Sequence, residues 1–148
     1  MKKSFALAAA LGCFLSTSLI YADGASVLGK WRSVNEKGEE TSTVEIYEQG
    51  GKVFGKLASL KDPNDAAGKP VVCSKCEGAD KGKPILGLVI IRNLTKDGDE
   101  YTGGTILDPT DGKSYSCKIE AIEGGKKLKV RGFLGISLLG RTQIWLKQ

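Results

Sequence analysis

The chain has no histidine in its 148 residues. Histidine is the commonest general base at neutral pH and the commonest metal ligand. Its absence excludes Ser-His-Asp, Cys-His and His-metal chemistry together. Aromatic residues are few, at 7%, and tryptophan stands only at Trp31 and Trp145. Cysteine is limited to Cys13, Cys73, Cys76 and Cys117, too few for a disulfide-built scaffold. There is also no apolar run of the 18 or so residues a membrane-spanning helix needs.

What the N-terminus does carry reads as an export signal. Lys2 and Lys3 form a positive region, residues 5–15 an apolar one, and Ile20-Tyr21-Ala22 a tolerable small-residue cleavage site. Residues 1–22 are therefore expected to be a removed signal peptide, leaving residues 23–148 as a single domain that is periplasmic or secreted. Ala10-Leu11-Gly12-Cys13 is a poor lipobox, because Leu11 stands where a small residue is expected. Losing Lys2 and Lys3 takes the 22 basic residues to 20, against 17 acidic, and the net charge from +5 to +3. The remaining charges alternate in sign. Lys126, Lys127 and Lys129, the densest basic group, read as a solvated face; a nucleic-acid patch wants interleaved aromatics and a larger positive excess.

The rest of the chain is a series of period-2 segments separated by turn signals about every 8 to 14 residues. Gly29-Lys30-Trp31-Arg32-Ser33 opens it. Thr43-Val44-Glu45-Ile46-Tyr47 and Val53-Phe54-Gly55-Lys56-Leu57-Ala58 flank a Gly50-Gly51 turn and read as a hairpin. A polar connection over residues 61–83 precedes the most apolar strand, residues 85–94. Four more strands follow, around Tyr101 to Leu107, Tyr115 to Ala121, Leu128 to Leu134 and Thr142 to Lys147. No convincing helix is present.

Eight antiparallel strands in series satisfy their edges best by closing into an up-and-down barrel. A two-sheet sandwich shares the same patterning. Gly55, Gly87, Gly103, Gly104 and Gly132 fall inside strand patterns, where glycine marks a bulge or a barrel corner.

Several motifs carry a family resemblance. Gly29-Lys30-Trp31 looks like the G-x-W motif of lipocalins and other calycins. Lys83-Pro84-Ile85-Leu86-Gly87, Tyr101 to Pro109, Asp111-Gly112-Lys113-Ser114-Tyr115, Leu128 to Phe133 and Leu139-Gly140-Arg141-Thr142-Gln143 together resemble the secreted bacterial family known as domain of unknown function 2147. The resemblance spans roughly residues 27–147. It implies an exported eight-stranded barrel of calycin or lipocalin type and no assigned activity. It also implies that Trp31 plugs one end of the barrel and packs against Arg141 of the last strand, with Gly29 completing the closure. Such a contact contributes on the order of 1 kcal/mol.

The candidate sites follow. Cys73-Ser74-Lys75-Cys76 lies in a polar connection without a βαβ context, so a structural disulfide is the expected reading, ahead of a redox pair or a metal site with Cys117. Cys117 shares a face with Tyr115 and Ile119 and is expected to be a buried thiol, although a bridge to a loop cysteine remains open. Paired carboxylates (Asp62 with Asp65, Asp97 with Asp99, Asp108 with Asp111) stand in turns, where Asp bonds its own backbone. No metal site and no cofactor is expected, and no nucleophile–base pair suggests an enzyme.

Two functions remain. One is binding of a small apolar or amphipathic molecule inside the barrel. Its lining would be Val44, Ile46, Val53, Leu57, Ile119 and Val130, with Arg131 a functional residue if its face points inward. The other is a filled barrel acting as a structural or protein-interaction module of the envelope. Large residues turned inward, among Phe54, Tyr101, Phe133 and Trp145, would favour the second.

Overall fold

The computed structural model describes residues 25–136 and 140–148. The expected signal peptide, with Cys13, and Leu139 of the last motif lie outside the described residues. Eight strands form one closed antiparallel barrel in sequence order: β1 (Gly29–Val34), β2 (Glu40–Gln49), β3 (Lys52–Leu60), β4 (Val89–Asp97), β5 (Glu100–Asp108), β6 (Lys113–Ile122), β7 (Lys127–Phe133) and β8 (Gly140–Lys147). All eight strands read from the sequence are present and the sandwich alternative is excluded.

The strand alternation sets the core. In the middle of β2, β3, β6 and β7 the inward positions are buried, giving Val44 and Ile46, Val53 and Leu57, Cys117 and Ile119, and Leu128 and Val130, with Thr43 buried beside Val44. Trp31, Ile91, Leu94 and Trp145 join them to make one apolar cluster. Gly55 leaves room inside for Ile46 and Ile91, whose side chains would stand 2.9 and 3.1 Å from a Cβ there. The bulge expected at Gly103-Gly104 is real. The β5–β6 register shifts between Tyr101 and Gly104, and a Cβ on Gly104 would sit 2.0 Å from the Arg92 carbonyl oxygen of β4.

One expected boundary is wrong. The fourth strand begins at Val89, not at residue 85. Ile85 donates its amide to Val71 of the connection (2.9 Å), and Val72 bridges Pro84. The polar connection therefore holds this apolar stretch. The chain joins the barrel only where Gly87 donates to the Leu57 carbonyl (2.7 Å) and Leu57 to that of Leu88 (3.0 Å).

The up-and-down order gives the barrel two unlike ends. One end carries residues 25–28, the turns at 50–51, 98–99 and 123–126, and the C-terminus. The other carries residues 35–39, the long connection 61–88, the turn 109–112 and residues 134–136. The β1–β8 seam is short, with only Trp31↔Lys147 and Arg32↔Leu146 paired.

Candidate functional site

The first end is a floor. Trp31 is fully buried and donates its indole N–H to the Val27 carbonyl (2.8 Å). Lys147 of β8 places its Nζ 4.4 Å from the Trp31 ring centroid and donates to the Leu28 carbonyl (2.8 Å). A Cβ on Gly29, whose φ is +116°, would lie 2.5 Å from that Nζ. Gly29 and Trp31 lie together at this end, whereas Arg141 lies away from them. It pairs with Gly132 at the opposite end of β8. Six residues of extended chain separate it from Lys147, about 20 Å. The cation over the tryptophan is Lys147, because the antiparallel β1–β8 register pairs Trp31 with it.

The waist is filled. Val44, Ile46, Val53, Leu57, Ile119 and Val130 all face inward, and each is at most 5% exposed. A void wide enough for water would leave exposed area on the atoms that line it. These six side chains pack against one another and against Ile91, Leu94, Leu128 and Trp145. Of the large residues, Trp145 is buried inside and Tyr101 packs partly against the core. Phe54 and Phe133 stand on the outer face; Phe54 stacks on Tyr47 at 5.8 Å.

Arg131 also faces out, since Val130 beside it takes the inner position. Its Nη1 donates to Thr142 Oγ1 (2.7 Å) in a cleft of about 330 Å³ on the outer wall. Two ion pairs lie in that cleft, Lys129–Glu120 (2.7 Å) and Lys118–Glu100 (3.8 Å). The condition for Arg131 as a lining residue is therefore not met: it belongs to a charged outer surface.

At the second end the inner face is less buried among the described residues. On β8 the inner-face residues are Lys147, Trp145, Gln143 and Arg141 in turn, and the last two are exposed. Trp145 donates its indole N–H to Gln143 Oε1 (3.0 Å). Ile106 and Tyr115, which pair with each other, are partly exposed, as are Leu60 and Ile85 at the same end. Across the wall, Ser33 Oγ lies 2.6 Å from Ser42 Oγ and 2.8 Å from Thr41 Oγ1. The rim carries Leu134 and Ile136, 63% and 59% exposed.

A short hydrogen bond organises one side of this mouth. Tyr115 donates its hydroxyl to Asp111 Oδ2 (2.5 Å), while Asp111 Oδ1 accepts the Lys113 amide (2.8 Å). The hydrogen bond from Tyr115, then that from Lys113, hold the Asp111 carboxyl below its ordinary value of 3.8. The same bond, then burial and the charges of Asp111 and Asp108, raise the phenol above 10.0. Arg141 acts on the phenol in the opposite direction, which places its charge close by.

Cys73 and Cys76 form the expected disulfide, and both are buried. They fasten the long connection to the outside of the barrel beside the β5–β6 turn. Cys73 Sγ lies 3.7 Å from the Pro109 carbonyl oxygen. A Cβ on Gly112 would lie 2.0 Å from the Lys75 carbonyl oxygen. Asp80 of the connection pairs with Arg92 of β4 (2.8 Å) and more loosely with Lys83 (3.5 Å). Burial pushes the Asp80 carboxyl up, but the hydrogen bonds and charges of Arg92 and Lys83 outweigh it and leave it lowered. Between connection and turn lies a half-open cleft of about 380 Å³, lined by Cys76, Glu77, Asp80, Leu107, Tyr115 and Leu134 among others. Cys117 is free and buried inside the barrel, and burial pushes its thiol up to about 12. Among the described residues no cluster of His, Cys, Asp and Glu could hold a metal ion, and no helix is long and apolar enough to cross a membrane.

Residues 29–147 match the model of a family described as uncharacterized protein conserved in bacteria (DUF2147). The chain belongs to this family. The DUF2147 region runs from the first residue of β1 to the last of β8, so the family unit is the whole barrel. Among solved structures, protein HP1028 from the human pathogen Helicobacter pylori, described as belonging to the lipocalin family, is similar in fold. The TM-score is 0.71 at 20% identity, over 84% of each chain. No curated protein sequence matches the chain. The expected calycin or lipocalin-type barrel is therefore the fold of this DUF2147 member.

Sequence reasoning missed Lys147 and the Asp111–Tyr115 pair. The parity of β8 held a signal for the first: Lys147 is two residues from Trp145 and so shares its face. The second required the turn geometry that brings Asp111 back over β6.

Proposed function

We propose that the protein is an exported, non-enzymatic binding protein that takes a small amphipathic molecule at the open end of its barrel, above a filled waist and floor. In this reading residues 1–22 are removed on export and residues 23–148 are the working domain. One observation carries it. Inner-face positions at one end, Arg141 and Gln143 with Tyr115 and Ile106, are left accessible and mix apolar with polar groups. Binding sites are concave, largely apolar and furnished with a few polar groups that orient the ligand. The disulfide fits an oxidising compartment. The lipocalin-like fold is compatible with this reading as analogy, since fold does not fix function.

The reading moves the candidate lining. Val44, Ile46, Val53, Leu57, Ile119 and Val130 become the plug on which a ligand rests. Their burial also favours a second reading, a filled barrel that serves as a structural or interaction module with no ligand.

Native mass spectrometry of residues 23–148, purified from the cell envelope without refolding, separates the two. The expected result is a reproducible adduct lost on denaturation, with a mass deficit for one disulfide. A clean apo mass, with no uptake from a mixture of amphiphiles, would leave the filled module.

A further inference from the structure

Resting on the binding reading, we propose that the ligand is a carboxylate amphiphile whose head is taken by Arg141. One cation on the inner face of β8 is left over. The inner face of β8 carries two, and the other, Lys147, is engaged with Trp31 and the Leu28 carbonyl at the floor. Arg141 is exposed and has no hydrogen-bond or ion-pair partner among the described residues.

Among the described residues Arg141 forms no ion pair with the Asp111 carboxylate at the same end. Asp111 is engaged by the Tyr115 hydroxyl and by the Lys113 amide. Gly132, paired with Arg141, presents no side chain between it and Cys117 on β6. The nearest atoms a Cβ at Gly132 would meet are Ile106 Cγ2 at 3.3 Å, Tyr115 Cβ at 3.7 Å and the Ser116 carbonyl oxygen at 4.0 Å.

A guanidinium offers a planar fork of donors that matches a carboxylate in two parallel bonds. Apolar surface for a tail lies at the same end: Leu60, Ile85 and Ile106 packed on the core, and Leu134 at the rim. The filled waist keeps the tail from running down the barrel axis, so the ligand lies across the mouth. The Asp111 carboxylate, held on the Tyr115 hydroxyl at the same end, disfavours a doubly charged head such as a phosphate monoester.

Isothermal titration of residues 23–148 with dodecanoate, dodecan-1-ol and dodecyl phosphate tests this, with Arg141→Gln as the variant. Arg141 is exposed and outside the core, so the variant should fold. The expected result is dodecanoate binding about tenfold tighter than the alcohol, and a loss of about tenfold in Arg141→Gln for dodecanoate alone. Equal affinity for acid and alcohol, or a variant that binds dodecanoate unchanged, would overturn the carboxylate proposal and leave the binding reading standing. Tighter binding of dodecyl phosphate would overturn the choice of head group. No binding of any of the three would overturn the proposal together with the reading beneath it.

Discussion

Lys147 and Arg141 are two cations on one face of one strand with opposite situations. The first holds the floor; the second faces the mouth. Replacing Lys147 with Met removes a cation over an indole and a charged hydrogen bond to Leu28, which should cost about 1 kcal/mol in urea unfolding. Arg141→Met should stay within about 0.5 kcal/mol, as for other exposed substitutions. The reverse ranking would mean that Arg141 closes the barrel after all. The Asp111–Tyr115 bond makes a second prediction with a definite sign. A lowered carboxyl contributes stability above its ordinary value of 3.8 that is lost as pH falls through the folded value. A raised phenol contributes stability below 10.0 that is lost as pH rises through its own. Tyr115→Phe should therefore be less stable than wild type between those limits, with the gap narrowing in acid. A gap constant from pH 6 down to pH 2 would contradict the assignment.

At the scale of elements, the disulfide-bearing connection is fitted to the β5–β6 turn through Gly112. That residue has φ of +72° and meets the Lys75 carbonyl, whereas Gly38 has φ of +77° and nothing within 4 Å. Alanine at Gly38 should cost about 1 kcal/mol for the backbone alone. Alanine at Gly112 should cost at least about 1 kcal/mol more, since the connection must move. Similar costs in denaturant titrations would show that the connection is not held there. The elements themselves were legible in the sequence because period-2 alternation reports a half-buried strand directly. Residues 85–88 misled for a physical reason: an apolar run looks like a strand whether the barrel or a loop covers it. The cysteine pair was legible as a disulfide from its polar setting; what it fastens was not, since no local pattern records a contact from Lys75 to Gly112.

For the whole molecule, closure of the barrel followed from eight consecutive strands with no edge to spare, and the apolar interior followed from parity. The sequence did not reveal that the interior is asymmetric along its axis. Parity says which residues face inward, not how tightly they pack: Val44, Ile46, Val53, Leu57, Ile119 and Val130 all face inward and are packed together. Arg131 and Arg141 show the same limit. Two β-strand arginines near one end differ only in face, and the pairing that fixes each face, Arg131↔Thr142 and Gly132↔Arg141, is a property of the closed barrel. The central claim is that the waist is filled and the mouth receives the ligand. Methyl chemical-shift mapping during a dodecanoate titration tests it most directly. Shifts are expected at Leu60, Ile85, Ile106 and Leu134, with Val44, Ile46, Ile119 and Val130 unmoved. Shifts centred on Val44, Ile119 and Val130 would mean that the ligand enters the waist, and would contradict it.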